Sequence, residues 1–245
     1  MRLIYLQIFF LTIGTACSQT DCGKYSDNYI PKDLNDALKY LTCTWTDKDK
    51  KDFKSKDEKL AVSELHMGTG QGIRNGWELW QHKNSLYHYF ESKGIFHPDD
   101  ISSIILTSFH RQLNNREIDL DGQVKRYLDY WNKAKEDEDK WKEGNRKKYD
   151  AFKVGDSVKM NFSLRTDEGK DRLYLGRNDL DFNENGNCVV TGIISDKKNS
   201  DLDFILLIEV KDICGRNEIQ YGAEDKLVVG KTFEYNIAFH NIERL

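Results

Sequence analysis

What the chain lacks narrows it first. Two prolines and 17 glycines in 245 residues exclude collagen-like and low-complexity architectures. Neither sign of charge dominates. Lys and Arg number 37 against 41 Asp and Glu, for a net charge of -4, so the basic face of a nucleic-acid binder is missing and no nucleic-acid partner is expected. There is no HExxH, no GxSxG and no CxxC, which removes the motif support for a zincin, a nucleophile-elbow hydrolase or a thioredoxin-like redox site. No metal site and no cofactor are expected. An aromatic content of 12% argues against disorder, because disordered chains lack the large apolar groups that offset ordering entropy.

The amino terminus reads as a delivery signal over residues 1–16. Arg2 precedes the apolar run Leu3 to Ile13, and the small residues Gly14-Thr15-Ala16 follow. A basic start, a short apolar core and small residues at its end are the layout of a secretory signal peptide. The run is too short to span a bilayer as a helix. Cys17 directly after Gly14-Thr15-Ala16 resembles a bacterial lipobox, with Gly14 in place of the usual Leu. On that reading Cys17 is lipidated and anchors residues 17–29 as a tether; on the other, a standard peptidase cuts near Ala16 or after Gln19.

Four cysteines remain: Cys22, Cys43, Cys188 and Cys214. An even count in an exported chain allows two disulfides, in three pairings. If Cys188 to Ser195 and Asp203 to Cys214 form a hairpin with its loop near Asp196–Leu202, Ile194 lies opposite Ile208 and Cys188 opposite Cys214, within disulfide reach. Cys22–Cys43 follows by exclusion.

From Ile30 to about Lys142 the periodicity is helical. Pro31 near a first helical turn, then Leu34, Ala37, Leu38 and Leu41, predict one amphipathic helix. Thr44 or Thr46 caps the next, and Ser55 the one carrying Leu60, Val62 and Leu65. The glycine-rich His66 to Gly72 has no strand before it and no GK[ST] after it, so it reads as a helix stop with close backbone approach. Trp77, Trp80, Leu86, Tyr87, Tyr89 and Phe90 follow on two helical pieces, and such a stripe is ordinarily core. Gly94 ends the second piece. Pro98 opens a helix with Asp99 and Asp100 in its first turn, His97 at or before the cap, and Ile101, Ile104, Ile105, Phe109 and Leu113 on one buried face. Leu120 to Tyr149 is the longest pattern, carrying Val124, Tyr127, Leu128 and Trp131 before fading into mixed charge.

After a break at Gly144-Asn145, with 143–148 as linker, alternation takes over. Residues 152–162, 172–175, 188–195, 203–213 and 232–239 predict strands. The whole is thus read as α+β: an all-α domain at residues 30–142 followed by a small all-β domain at residues 149–245, barrel- or sandwich-like.

Candidate chemistry gathers between Asn75 and Asn114, which holds four of the six histidines and one of the two prolines. His97, Asp99, Asp100 and His110 are residue types that ligate metals and move protons, with His66, His82 and His88 nearby. Against this, adjacent Asp99 and Asp100 diverge by about 100° on a helix, and His82 and His88 stand off helical spacing. The bland alternative is a helix cap with a hydrogen-bonded histidine, and it outweighs the catalytic one. The residues left over as binding candidates are Trp77, Trp80, His97, Asp99, Asp100, His110 and Arg111.

The same segment resembles an uncharacterised bacterial family, a domain of unknown function. Asn75/Trp77/Leu79/Trp80, Tyr89/Phe90, Gly94-Ile95, His97 to Ser102, Ile104 to Ser108, Phe109-His110-Arg111 and Leu113-Asn114 carry the likeness. It covers about residues 30–131 and departs at Gly76. The resemblance implies an envelope-associated helical domain and implies no activity. The expectation is therefore an exported bacterial envelope protein, membrane-associated only through a lipid at Cys17, acting as a non-enzymatic binding module for a protein partner. The rival expectation is a metal-dependent or acid–base enzyme using His97, Asp99 and His110.

Overall fold

The computed structural model describes residues 22–26, 28–167, 169–175, 187–221 and 225–245. The signal segment and Cys17 lie outside these residues. The chain is α+β, with a helical region followed by a nearly closed, barrel-like sheet. It forms two compact units that divide between Asn132 and Lys133.

The first unit begins at α1 (Leu34–Thr44). Its cap is Asp33, whose side chain accepts from the Asp36 N–H, so Pro31 precedes the helix instead of opening it. Leu34, Ala37, Leu38 and Leu41 are buried, as one helical face requires. Thr46 caps α2 (Asp47–Lys54). Asp57, not Ser55, caps α3 (Glu58–Leu65), accepting from the Lys59 and Leu60 N–H groups.

The glycine-rich run does not stop the helix. His66–Gly70 forms a π-helical turn that leads directly into α4 (Gln71–Gly76). Close approach holds only at Gly70, where an added Cβ would lie 3.1 Å from Arg74 and 3.2 Å from the Leu65 carbonyl; Gly68 and Gly72 face open space. A short 3-10 turn (Leu79–Gln81) and α5 (Ser85–Glu91) follow. Gly94 then takes φ +83° past the end of α5, the left-handed geometry glycine adopts without steric cost.

The helix α6 (Pro98–Leu113) runs through the core, with Ile101, Ile104, Ile105, Leu106 and Phe109 buried. Phe53, Trp45 and Phe109 pack ring to ring around it. Cys22 and Cys43 form a disulfide that ties the entering segment to α1. Asp36 reinforces that tie, accepting from Tyr29 Oη at 2.6 Å, Lys24 Nζ at 2.9 Å and Tyr25 Oη at 3.0 Å.

The helix α7 (Leu120–Ala151) is continuous through Gly144-Asn145, so the expected linker at 143–148 is helix. Mid-helix pairs one turn apart, such as Lys133–Asp137 and Lys135–Asp139, support the solvated stretch. Its last turns belong to the second unit: Tyr149 and Phe152 are buried there, and Trp141 packs against Phe204. Lys197 Nζ donates to the Tyr149 and Phe152 carbonyls at 2.6 Å each, closing the orphan carbonyls at the helix end.

The sheet has eight strands: β1 (Ser157–Asp167), β2 (Lys170–Leu175), β3 (Asn187–Asn199), β4 (Phe204–Ile213), β5 (Glu218–Tyr221), β6 (Asp225–Val228), β7 (Thr232–Asn236) and β8 (Ile242–Arg244). Their order is β6-β5-β2-β1-β3-β4-β7, with β8 on β1. Among the described residues only the β2–β5 pair is parallel. The sheet curls until Gly230 and Lys231, after β6, exchange backbone hydrogen bonds with Val210 in β4. Val158, Met160, Phe162, Val190, Ile194, Leu206, Ile208 and Tyr235 fill the interior.

The β3–β4 hairpin places Ile194 opposite Ile208, as expected, but its strands extend to Asn199 and Phe204. Ser195 on β3 and Lys211 on β4 are each an extra residue at a register shift. Gly192 sits beside the second bulge, its α-carbon turned toward Ile208 and the Glu209 carbonyl. Past Lys211 the register has moved by one, so Val189 faces Cys214, whose N–H donates to the Val189 carbonyl. Cys188 and Cys214 are nevertheless bonded, with Cα atoms 5.4 Å apart.

Candidate functional site

The entrance of α6 is built from its own residues. His97 stands in extended backbone as the cap, its Nδ1 accepting from the Asp99 N–H at 3.2 Å, and Pro98 follows at the first helical position. Proline lacks the N–H that would be unsatisfied there, and its φ is preset for a helix. The segment before the cap alternates: Ile95 is buried and Phe96 is exposed.

Three elements of the helical unit bring aromatic rings to this entrance. Trp80, from the 3-10 turn, stands edge-on to the His97 ring at 5.7 Å. Trp131, from α7, lies tilted to the His97 ring with the centroids 6.2 Å apart. Its indole N–H donates to Asp100 Oδ2 at 2.7 Å. Tyr130 packs on Trp131 at 5.2 Å. Trp80, Phe96, Tyr130 and Trp131 are each about half exposed or more, which is uncommon for large apolar side chains crowded together.

Two grooves meet at this cluster and share His97, Asp100 and Trp131. One, of about 840 Å³, runs past Glu58, Val62, His66, Asp99 and Tyr127. The other, of about 510 Å³, is lined by Trp80, Phe96, Leu128 and Trp131. The π-helical turn at His66 borders the wider groove, a placement such turns often have at functional sites.

The two aspartates of the first turn have different fates. Asp99 is neutralised by Arg74, whose Nε lies 2.8 Å away and whose buried guanidinium also donates to Ser102 Oγ and the His66 carbonyl. Asp100 takes the Trp131 N–H, and burial pushes its carboxyl above the usual carboxylate range against that hydrogen bond.

His110 and Arg111 do not join this site. Thirteen residues of helical rise put His110 about 20 Å from His97 along α6. His110 is buried edge-on to Phe53, and its Nε2 donates to the Lys56 carbonyl at 3.0 Å. Arg111 makes a bidentate pair with Glu58, at 2.9 and 3.0 Å, and donates to the Ile118 carbonyl. That guanidinium holds the Glu58 carboxyl below its usual range despite burial. The expected triad of His97, Asp99 and His110 therefore has no common point. Among the described residues, no group of three or more His, Cys, Asp or Glu is placed to hold a metal ion.

The tryptophan pair also separates. Trp77 is core, packed edge-on to Tyr40, while Trp80 faces solvent. His82 stacks on Tyr87 at 4.5 Å, and His88 pairs with Glu91. Sequence reasoning missed Phe96, Tyr130 and Trp131 as site residues. The signal lay in the fading of the α7 apolar stripe into charge just past Trp131, and in the extended backbone before α6, where neighbouring Ile95 and Phe96 point to opposite sides.

Residues 30–113 match the family described as Domain of unknown function (DUF6794). The DUF6794 segment starts just before α1 and ends at the last residue of α6. It holds Trp80, Phe96, His97, Asp99 and Asp100, but stops short of Trp131, of the expected limit near residue 131, and of the whole β unit. No curated protein and no solved structure matches the chain. Among the described residues no helix is long and apolar enough to cross a membrane.

Proposed function

We propose that this is an exported bacterial envelope protein, lipid-anchored through Cys17, whose helical unit is a non-enzymatic binding module for a protein partner. The observation that carries the binding role is the exposed rim of Trp80, Phe96, Tyr130 and Trp131 around the α6 entrance. Aromatic side chains at protein interfaces supply large, stiff contact area, and tryptophan and tyrosine recur among the residues that dominate binding energy. The three groups of the expected catalytic triad are committed to structure: His97 to its cap, Asp99 to Arg74, and His110, far along α6, to Lys56. Export is supported by the apolar amino-terminal segment and by the two disulfides, which persist in oxidising compartments.

The binding role is tested by photo-crosslinking in cells from Phe96→p-benzoylphenylalanine in the full chain. A discrete protein adduct is expected from Phe96 and not from the same change at exposed Lys39 on α1. Adducts that are equal at both positions, or made only with lipid, overturn the reading. Mass spectrometry of the mature amino terminus tests the anchor: an acylated Cys17 is expected, and an unmodified end at residue 18 or later refutes it.

A further inference from the structure

The smaller groove has an unusual charge balance. No lysine or arginine lines it, and Asp100 is its sole carboxylate. Asp100 is half-buried in the first turn of α6. Its Oδ2 takes the Trp131 N–H. Among the described residues no donor reaches Oδ1, and no lysine or arginine pairs with this carboxylate. Asp99 beside it already has Arg74, so that guanidinium is spent. A carboxylate is thus held at the edge of an apolar, aromatic groove with the start of α6 and His97 beside it but no lysine or arginine.

That combination selects a ligand. A cation over the face of a tryptophan is attracted by the ring quadrupole, more strongly once desolvated. A lysine or arginine stem buries its methylenes on apolar surface while its head stays at a polar group. A sugar ring would need several directed hydrogen-bond partners; of the groove's polar side chains, His82 is stacked on Tyr87 and His97 caps α6 through its Nδ1, which leaves chiefly Asp100 and Asn132. The exposed rings of Phe96 and Tyr130 extend beyond what a small free amine would cover.

We propose that this groove takes a lysine or arginine side chain from a partner polypeptide, its alkyl stem along Trp80, Phe96 and Leu128 and its cationic head on Asp100 beside the Trp131 indole. The inference rests on the protein-binding reading of this face and names what the face recognises.

The test is an NMR titration of the full chain, following the indole N–H signals of Trp80 and Trp131, assigned with Trp80→Phe and Trp131→Phe. The probes are N-acetyl-lysine methylamide, N-acetyl-arginine methylamide, the neutral N-acetyl-norleucine methylamide, and N-acetylglucosamine. Both basic probes should shift the two signals and saturate, with norleucine at least tenfold weaker. Asp100→Asn keeps the shape and an acceptor for Trp131, and should weaken the basic probes at least tenfold with an unchanged melting temperature. Norleucine binding as tightly as lysine, undiminished binding in Asp100→Asn, binding of the sugar alone, or no shift with any probe overturns the proposal. A Phe96 crosslink that persists in Asp100→Asn alongside a failed titration leaves the binding surface standing and removes only the cationic ligand. A positive titration without any protein crosslink removes the polypeptide partner.

Discussion

Arg74 and Asp99 form an ion pair across 2.8 Å, joining α4 to the first turn of α6. The pair is the hinge pin of the site, since the same guanidinium reaches Ser102 Oγ at 3.0 Å and the carbonyl of His66 in the π-helical turn at 3.2 Å. Arg74→Met removes all three and strands buried acceptors. It should cost about 2–3 kcal/mol, as loss of charged buried hydrogen bonds does. Urea unfolding of the full chain measures this, and a loss below about 0.5 kcal/mol, the range of neutral surface changes, would show that the pair is ornamental.

Acid should loosen the entering segment. Burial alone would push the Asp36 carboxyl up, but hydrogen bonds from Tyr29, Lys24, the Lys32 N–H and Tyr25 overcome it and hold the group at about 2. Its ordinary value is 3.8. Because the folded-state value is the lower one, the stabilisation is complete above about pH 4 and is lost as pH falls toward 2. Asp36→Asn should lower stability at neutral pH by about 1–3 kcal/mol. Its melting temperature should also fall less steeply between pH 4 and 2 than that of the wild type. Parallel curves for the two proteins would contradict this.

Gly192 lies where β3 presses against β4. A Cβ there would overlap Ile208 Cγ2 and sit 2.7 Å from the Glu209 carbonyl oxygen. Gly192→Ala should therefore destabilise by about 1–3 kcal/mol, the usual cost of overpacking. Hydrogen exchange should show the opening confined to β1, β3 and β4, the strands that meet at Gly192. Protection equal to the wild type across all three would mean that the hairpin absorbs the methyl group elsewhere.

Local chemistry was the legible part. The α6 entrance could be read because His97, Pro98 and the two aspartates act within one turn. The Cys188–Cys214 pairing followed from hairpin register, even though a bulge moves the strands by one residue at the cysteines. Trp80 was among the binding candidates, but its separation from Trp77 was hidden, because residues three apart on a helix share one face. Glu78 and His82 instead adopt φ of 50° and 56°, and the interruption swings Trp80 outward while Trp77 stays in the core. The Arg74–Asp99 pair joins residues on different elements, and nothing in local spacing announces it. The strands β5, β6 and β8 are only three or four residues long, too short to show alternation.

The two bulges of the β3–β4 hairpin lie on opposite strands, Ser195 on one and Lys211 on the other. Each lets one residue leave the pairing without reversing the faces: Val210 and Ile213 are both buried although three positions apart, because Lys211 is taken up between them. Deleting Ser195 alone, or Lys211 alone, should therefore keep every other cross-strand pair and straighten the strand, whereas inserting a residue at a regularly paired position should turn the side chains beyond it to the other face. The arm thus has two points at which its length can change by one residue while its buried side stays buried.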